Sequence, residues 1–354
     1  MIFTHDLLKS YVIDVLKSVG LTEKNGSIVA ESLVSANLRG VDSHGVTRLP
    51  IYVKRIKSGA VTPNPKVWIE EEGQSTLLVD GNDGMGQIVG LKAIEYGIKK
   101  AKLNGGVYVG VKNSTHFGTG AFFVQHALQH DLIVVAMSNA PSTMAPYGGI
   151  QPYLGTNPYA FGLPSDKYRP VIFDMATSVV ARGKIISAEQ RGADIPLGWA
   201  IDQNGKETTN AKEALEGTVL PFAGPKGYAI SLMIDIMSGV LTGAGFGQHV
   251  NNIYGDYDKP QKVGHFFQLI DINSFMPAET FKKRVDQMIR EIKSSPKAEG
   301  VEEIYLPGEI EFNTERERLR NGIPLDQEVY EALKIVGEEA NVDISKYHTP
   351  EKAL

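Results

Sequence analysis

A histidine, an arginine and a tyrosine lie close together in the segment Asp42–Tyr52. His44 precedes a predicted helix, and Arg48 and Tyr52 follow four residues apart, so both lie on one face of that helix. Thr47 is the expected N-cap of this helix. A guanidinium binds a carboxylate through two parallel hydrogen bonds, and a helix start adds positive potential. The segment therefore indicates an anion site, although a capped surface helix with a solvated arginine explains it equally well.

A second candidate is His116, in the segment Asn113–Gly120. This segment follows a predicted buried strand and opens a helix. Loops at the carboxyl ends of strands often carry catalytic groups in α/β proteins. An imidazole titrates near neutrality and suits proton transfer to or from a hydroxyl. A structural, hydrogen-bonded histidine remains the alternative for this position.

Apolar periodicity and capping residues predict the elements that position these two segments. Helices are expected first, near residues 7–19, 22–38 and 48–57. Strands and helices then alternate, with strands near 67–69, 76–79, 107–111 and 132–136 and helices near 86–104 and 118–130. The later elements are strands near 170–174, 198–201 and 265–270, a helix after residue 227, another over 275–292, and charged helices in the last fifty residues. This order predicts a mixed α/β domain flanked by helices from both chain ends.

The composition indicates a folded protein and excludes several classes of function. Of 354 residues, 42% are hydrophobic and 22% are charged, and the net charge of −5 includes no basic block. We therefore expect no nucleic-acid partner. The absence of cysteine excludes disulfides, iron–sulfur clusters and thiolate nucleophiles. No apolar run can span a bilayer and no signal peptide is recognisable, so we expect a cytoplasmic protein without a membrane partner.

The sequence carries no metal-binding spacing and no dinucleotide fingerprint in the right context. The eight histidines are scattered, and His126 and His130 are expected to be exposed, so no metal site is predicted. Gly243–Gly247 looks like a shortened dinucleotide fingerprint but follows a predicted helix, whereas the fingerprint needs a strand that runs into a helix. Asp80–Gly86 precedes a helix, but its carboxylates would repel a phosphate. We reject both as signs of a Rossmann domain.

A set of short motifs in a fixed order resembles the malate/L-lactate dehydrogenase-type family. That family includes sulfolactate, ureidoglycolate and diketogulonate oxidoreductases and is distinct from the Rossmann-fold lactate and malate dehydrogenases. The matching stretches span nearly the full chain and are Ser43-His44-Gly45 with Arg48 and Tyr52, His116 in its turn, Pro146–Gly149, Leu154–Pro158, Phe173–Ser178, Gly183-Lys184, Gly224–Tyr228 and Pro307–Glu309.

The resemblance implies an α/β fold that is not a Rossmann fold. A mixed, largely antiparallel seven-stranded sheet with helices would form the cofactor domain, and a helical domain would be built from both termini. The expected parts are residues 1–70, 71–305 and 306–354. The resemblance also implies a homodimer whose active site lies between domains and near the partner subunit.

The resemblance further implies a role for each matching residue. His116 is the expected general acid/base, Arg48 would bind the substrate carboxylate, and His44, Tyr52 and Ser43 would help to orient the substrate. The expected cofactor is NAD, with NADP as the alternative, and its contacts would be Asn139, Ala140, Asp174, Met175, Ala176, Lys226, Pro307, Gly308 and Glu309. From the residues alone, the favoured interpretation of Asp174 is a cap at a strand end, and that of Lys226 is a surface residue in the first turn of a helix. Arg182 is a candidate for binding a 2′-phosphate.

The activity implied is hydride transfer between nicotinamide and C2 of a small 2-hydroxy or 2-oxo acid. Malate and L-lactate are the favoured substrates. Ureidoglycolate, sulfolactate and diketogulonate remain open, as does reduction of cyclic imino acids on the same scaffold. A binder of small molecules without enzymatic activity is a third hypothesis, which leaves the ordered motifs unexplained.

Overall fold

A computed structural model describes residues 1–347 of the protein. Its α-helices are α1 (His5–Ser18), α2 (Glu23–Leu38), α3 (Leu49–Lys57), α4 (Gly86–Asn104), α5 (Gly120–Leu128), α6 (Arg182–Gln190), α7 (Ala211–Glu216), α8 (Pro225–Asp235), α9 (Ala278–Lys293), α10 (Glu309–Asn321) and α11 (Gln327–Glu339). Its strands are β1 (Ile2–Phe3), β2 (Trp68–Glu72), β3 (Thr76–Asp80), β4 (Gly106–Ser114), β5 (Leu132–Ser138), β6 (Tyr159–Leu163), β7 (Val171–Met175), β8 (Ala200–Ile201), β9 (Thr218–Val219), β10 (Val263–Asp271) and β11 (Ile323–Pro324). A π-helix, Ile236–Val240, directly follows α8.

Seven of these strands form one sheet, in the order β2-β3-β4-β10-β5-β6-β7. Strands β3 and β4 run parallel, as the crossover through α4 permits, and the other neighbouring pairs in this sheet are antiparallel. The predicted mixed, largely antiparallel sheet of seven strands is therefore confirmed. Strand β10 lies between β4 and β5, so a late part of the chain forms the centre of the sheet.

Each face of the sheet is covered by helices. Helices α4 and α5 bury one face in a core that includes Ile94, Phe123 and Phe267, all fully buried. Helix α8 and the π-helix cover part of the other face, where Ile234 packs near Phe266. Burial of these apolar side chains drives the packing of helices on the sheet.

The helices from both chain ends pack around a separate core. Tyr11 of α1 and Leu33 of α2 are fully buried there with Leu333 of α11. The two ends also pair directly, because β1 and β11 are antiparallel with Phe3 opposite Ile323. The predicted helical domain from both termini is confirmed. The boundaries 1–70, 71–305 and 306–354 remain a prediction, and residues 348–354 lie outside the described part. No helix in residues 1–347 has the length and apolar character needed to cross a bilayer.

Several local predictions were incomplete or wrong. Thr47 does not cap α3, because the helix begins at Leu49 and Thr47 lies in a short 3-10 turn. The sequence analysis missed β6, α6, α7 and the π-helix, which lie in or next to stretches rich in glycine and proline. His126 is half-buried rather than exposed, because its helix packs on the sheet and against α4, whereas His130 is exposed.

Candidate active site

The segment that carries His44 is held in place by a side chain of α2. Two short 3-10 turns form this segment. The Asn37 side chain accepts a backbone N–H of the segment at 2.8 Å and donates to Asp42 at 2.6 Å. Arg318 of α10 binds the same Asp42 carboxylate through two bonds of 2.7 and 3.0 Å. Helices from both chain ends therefore fix the position of His44.

Arg48 lies directly before α3 and keeps part of its guanidinium free. Its Nε donates to the Ser43 carbonyl at 2.7 Å, and its Nη1 donates to the Tyr254 hydroxyl. Among residues 1–347, no group hydrogen-bonds to Nη2. The Ser43 hydroxyl lies 3.0 Å from Nδ1 of His44, which joins these residues into one polar group. A free guanidinium edge of this kind binds a carboxylate well.

His116 follows β4 and lies against Tyr52 and His44. Its Nδ1 is 2.7 Å from the Tyr52 hydroxyl, and its ring stacks on the His44 ring with centroids 5.5 Å apart. Its backbone N–H donates to the Gln261 side chain at 3.0 Å. Helix α4 starts directly against this turn, since a Cβ on Gly86 would lie 2.7 Å from the His116 carbonyl oxygen. Only glycine allows so close an approach.

Burial and positive charge keep both histidines neutral. Burial is the main cause that holds the pKa of His116 well below its ordinary value, and Arg48, His44 and His265 lower it further. Burial, followed by Arg48, lowers the pKa of His44 to about 4. Both rings nevertheless keep some contact with solvent, so they line a recess. A neutral imidazole in a recess is able to take a proton from a bound hydroxyl.

Two of the predicted cofactor segments meet at β7. The Pro307 carbonyl accepts the Ile172 N–H at 3.3 Å, and a Cβ on Gly308 would lie 2.4 Å from the Ile172 carbonyl oxygen. Gly308 also has a φ of 88°, a conformation that favours glycine. At the strand end, Asp174 accepts the Ala121 N–H at 2.9 Å, so this carboxylate lies at the start of α5. Because α5 follows the His116 turn, the cofactor segments and the histidine are neighbours.

The other two cofactor segments are joined to the same strand end by hydrogen bonds. The Thr177 carbonyl accepts the Phe222 N–H at 3.0 Å, which brings in the loop before Lys226. The Ala140 N–H donates to the Asn157 side chain at 3.0 Å, and the residue before Asn157 accepts the Thr177 N–H at 3.1 Å. Residues predicted from four distant stretches therefore come together.

The predicted cofactor residues differ in what they still offer to a ligand. The Asn139 amide is 2% exposed and bonds to backbone groups at 2.9 and 2.6 Å, and the Glu309 carboxylate is 2.8 Å from Lys293. Those two side chains therefore stabilise the fold, and their polar atoms are already engaged within the protein. Of the other predicted cofactor residues, Asp174, Met175, Lys226 and Pro307 are exposed, and Ala140 and Ala176 are half-buried. Asp174 is exposed, and desolvation raises the pKa of its carboxyl to about 6.

Sequence reasoning missed Tyr254, Gln261 and Gln87. Tyr254 and Gln261 belong to the loop 251–262, which carries no periodic pattern. Arg55, 1% exposed, holds this loop by donating to two of its backbone carbonyls at 2.8 and 2.6 Å. Arg55 follows Arg48 by seven residues in the sequence, and that spacing was the one available signal.

The residues at the end of β7 fit a nicotinamide dinucleotide. The Asp174 carboxylate suits ribose hydroxyls, and the Lys226 ammonium at the start of α8 suits a phosphate. The Thr177 hydroxyl is buried with no partner among residues 1–347, directly after the strand end. The seven-stranded sheet is not a Rossmann domain, and the side chains at its β7 edge suit a nicotinamide dinucleotide.

The chain belongs to the malate/L-lactate dehydrogenase family, whose model matches residues 3–334. A malate dehydrogenase from Pyrococcus horikoshii is 42% identical over 96% of this chain and 95% of its own length. An L-sulfolactate dehydrogenase from Methanocaldococcus jannaschii is 40% identical over 98% of this chain and 99% of its own. The solved structure of sulfolactate dehydrogenase from that organism matches with a TM-score of 0.92, 40% identity, and coverage of 98% of this chain and 99% of its own. The predicted family and enzyme class are confirmed.

Proposed function

We propose that this protein is an NAD-dependent dehydrogenase that moves a hydride between nicotinamide and C2 of a small 2-hydroxy or 2-oxo acid, with malate or L-lactate as favoured substrates. The observation that carries the proposal is one recess in which neutral His116, held by Tyr52 at 2.7 Å, lies beside the free edge of Arg48. The relatives named malate and sulfolactate dehydrogenase support it, because both acids carry a hydroxyl next to a carboxylate. Because NAD is a diffusible cofactor, we expect the protein to act in the cytoplasm.

Arg48 and His116 contact different groups of the substrate. Arg48 binds the carboxylate, and His116 takes the hydroxyl proton while C2 gives up its hydride. The bound nicotinamide ring supplies the hydride acceptor. Because Arg48 lowers the pKa of His116, a carboxylate bound to Arg48 offsets that charge and makes His116 a stronger base in the complex. Ser43 and His44 border the same space and orient the acid.

Two observations support NAD over NADP. The candidate for a 2′-phosphate, Arg182, donates to the Leu215 carbonyl at 2.9 Å and is therefore engaged within the protein. Asp174 at the cofactor segments favours a ribose hydroxyl and repels a phosphate. We expect NADH to bind at least tenfold more tightly than NADPH in a fluorescence titration. Asp174→Asn should weaken NADH binding if the carboxylate binds the ribose. If Asp174 only caps α5, the asparagine oxygen can accept the same backbone N–H, and NADH binding should not change. Tighter binding of NADPH would contradict the assignment.

We further propose a homodimer, supported by an apolar surface on α8 and the π-helix. This surface consists of Met233, Ile236, Val240 and Leu241, which are 42%, 45%, 54% and 62% exposed. A contiguous apolar patch of this kind favours coverage by a protein surface. Light scattering should give twice the chain mass, and Val240→Lys should lower it. The control is Leu103→Lys, because Leu103 is 83% exposed at the end of α4. A monomeric wild-type protein would refute this part of the proposal.

A substrate panel and one pair of variants test the activity. Reduction of NAD should be followed with malate, L-lactate, sulfolactate, ureidoglycolate and the reduced product of diketogulonate, and oxidation of NADH with a cyclic imino acid. His116→Gln should lower kcat about 10²- to 10⁴-fold, the usual contribution of a positioned acid/base. His126→Gln on α5 is the control and should leave kcat unchanged. Turnover by His116→Gln within threefold of wild type would overturn the assignment, and a preference for the imino acid would replace the substrate class.

A further inference from the structure

A buried glutamine, Gln87, completes a chain of polar side chains behind His116. Gln87 is 0% exposed, and its Nε2 donates to the Tyr52 hydroxyl at 3.0 Å. That hydroxyl lies 2.7 Å from Nδ1 of His116. The Oε1 of Gln87 is buried without a partner among residues 1–347, and so is the Ser32 hydroxyl. The two side chains are neighbours, because a Cβ on Gly118 would lie 3.5 Å from Gln87 Nε2 and 3.0 Å from Ser32 Oγ.

The backbone places Gln87 at this point with little freedom. Gln87 is the second residue of α4, and the Gly86 N–H before it donates to the Thr115 hydroxyl at 3.0 Å. A Cβ on Gly86 would lie 2.3 Å from the Thr115 carbonyl oxygen. The first turn of α4 is therefore fixed against the turn that carries His116. A buried amide with one unpaired atom beside a catalytic histidine calls for a functional explanation.

We propose that Gln87 is a positioning residue that determines which ring nitrogen of His116 carries the proton. The inference rests on the proposed acid/base role of His116. A tyrosine hydroxyl has a single hydrogen to donate. When Gln87 donates to Tyr52, that hydrogen goes to Nδ1 of His116, and the neutral ring carries its proton on Nε2. When the amide is turned so that Oε1 accepts, Tyr52 donates to Gln87 and accepts from Nδ1–H.

The two arrangements have different chemical consequences. Only the second leaves a lone pair on Nε2 of His116 for the substrate proton, and it also fits the imidazolium that forms after transfer. The first holds Nε2 protonated and leaves the ring unable to act as a base there. The amide nitrogen and oxygen have nearly the same shape, so the change needs only a rotation of the Gln87 amide. Gln87 thereby sets the protonation state in which His116 meets the substrate.

Substituting the amide tests the proposal. Gln87→Glu presents carboxyl oxygens to Tyr52 and therefore favours the second arrangement. Its negative charge also offsets the positive charge near His116. The charged or titratable groups that face His116 are Arg48, His44 and His265, with Tyr52 in direct contact. The His116 titration midpoint should rise by roughly one pH unit, and the proton of the neutral ring should lie on Nδ1. Gln87→Met, of similar shape but without hydrogen bonds, should give a mixture of the two tautomers.

The readout is ¹⁵N NMR of the His116 ring in the full-length protein, assigned with His116→Gln, at several pH values. It needs no turnover, so it is independent of the proposed activity. Wild type should show one tautomer and not a mixture, and the acid limb of kcat/KM for oxidation should move upward in Gln87→Glu together with the NMR midpoint. Unchanged tautomer and midpoint in both variants would overturn the role of Gln87. If Gln87→Glu fails to fold, Gln87→Met carries the test, and a single tautomer in it overturns the proposal. An NMR shift without any change in the rate profile would support Gln87 and refute the role of His116.

Discussion

Replacing Arg48 by lysine separates the charge of this residue from its shape. The guanidinium holds the Ser43 carbonyl at 2.7 Å through Nε and the Tyr254 hydroxyl through Nη1. A lysine ammonium keeps the charge but has no planar fork. A lysine that reaches the substrate carboxylate therefore retains one of two charge-assisted hydrogen bonds, and the loss of one costs about 1.5–3 kcal/mol. At a factor of ten for about 1.4 kcal/mol, kcat/KM for the favoured acid should fall roughly 10- to 150-fold.

The pH profile shows whether the charge and the fork act separately. Oxidation needs neutral His116, so its rate is lost as pH falls through the pKa of His116. Arg48→Lys keeps the charge that lowers this pKa, and its acid limb should stay in place. Arg48→Met removes the charge, so the pKa of His116 should rise and the limb should move to higher pH.

The measurement is kcat/KM from pH 5 to 9 for both variants, with Arg316→Lys on the exposed side of α10 as the control. Activity of Arg48→Lys within threefold of wild type would refute two-point binding of the carboxylate. An equal shift of the acid limb in both Arg48 variants would refute the electrostatic argument.

Two further predictions concern the fold around the site. His265 is fully buried between Ser114 at 2.7 Å and Ser138 at 2.9 Å, and burial lowers its pKa to about 3. In the unfolded chain His265 takes up a proton near pH 6.5, whereas in the folded protein it stays neutral. His265 should therefore lower the free energy of unfolding by about 2 kcal/mol between pH 7 and pH 5. His265→Gln should remove that part of the slope in urea unfolding, and equal slopes would show that the histidine is not buried neutral. Gly308→Ala places a Cβ 2.4 Å from the Ile172 carbonyl oxygen at a φ of 88°, whereas Gly300→Ala, at a φ of 77°, meets nothing within 4 Å. Gly308→Ala should therefore lower the midpoint of thermal unfolding more and weaken NADH binding, and equal losses in the two variants would contradict the close contact with β7.

Elements with a strong local pattern could be predicted from the sequence. The apolar positions of α1 and α2, such as Tyr11 and Leu33, repeat with the helical period and are buried in the structure. The alternation of strands and helices from β3 to β5 follows from similar local signals. The seven-stranded, largely antiparallel sheet was expected from the resemblance to a family, but its strand order was not predicted, because no local pattern states that β10 pairs with β4 and β5.

The missed features depend on contacts between distant parts of the chain. Thr47 has the residue type of an N-cap, but Asn37 of α2 holds its segment in 3-10 turns, so tertiary contacts override the local preference. Tyr254 is 206 residues from Arg48 and reaches it only because Arg55 binds the backbone of its loop. Sequence reasoning identified the ionisable residues of the site, whose chemistry is evident from their type, and missed the neutral residues that position them.

The geometry of the recess depends on one helix that belongs to two cores. At the start of α4, Met85 and Ile88 are buried in the helical core with the chain ends. From Val89 onward the helix is buried in the core of the sheet. Tyr52 comes from the helical core and His116 from the end of a sheet strand, so their 2.7 Å contact spans both parts. A helix is stiff over such a short length, and the turn of α4 at this joint carries Gln87. A shift of either part would therefore lengthen the 2.7 Å contact between Tyr52 and His116.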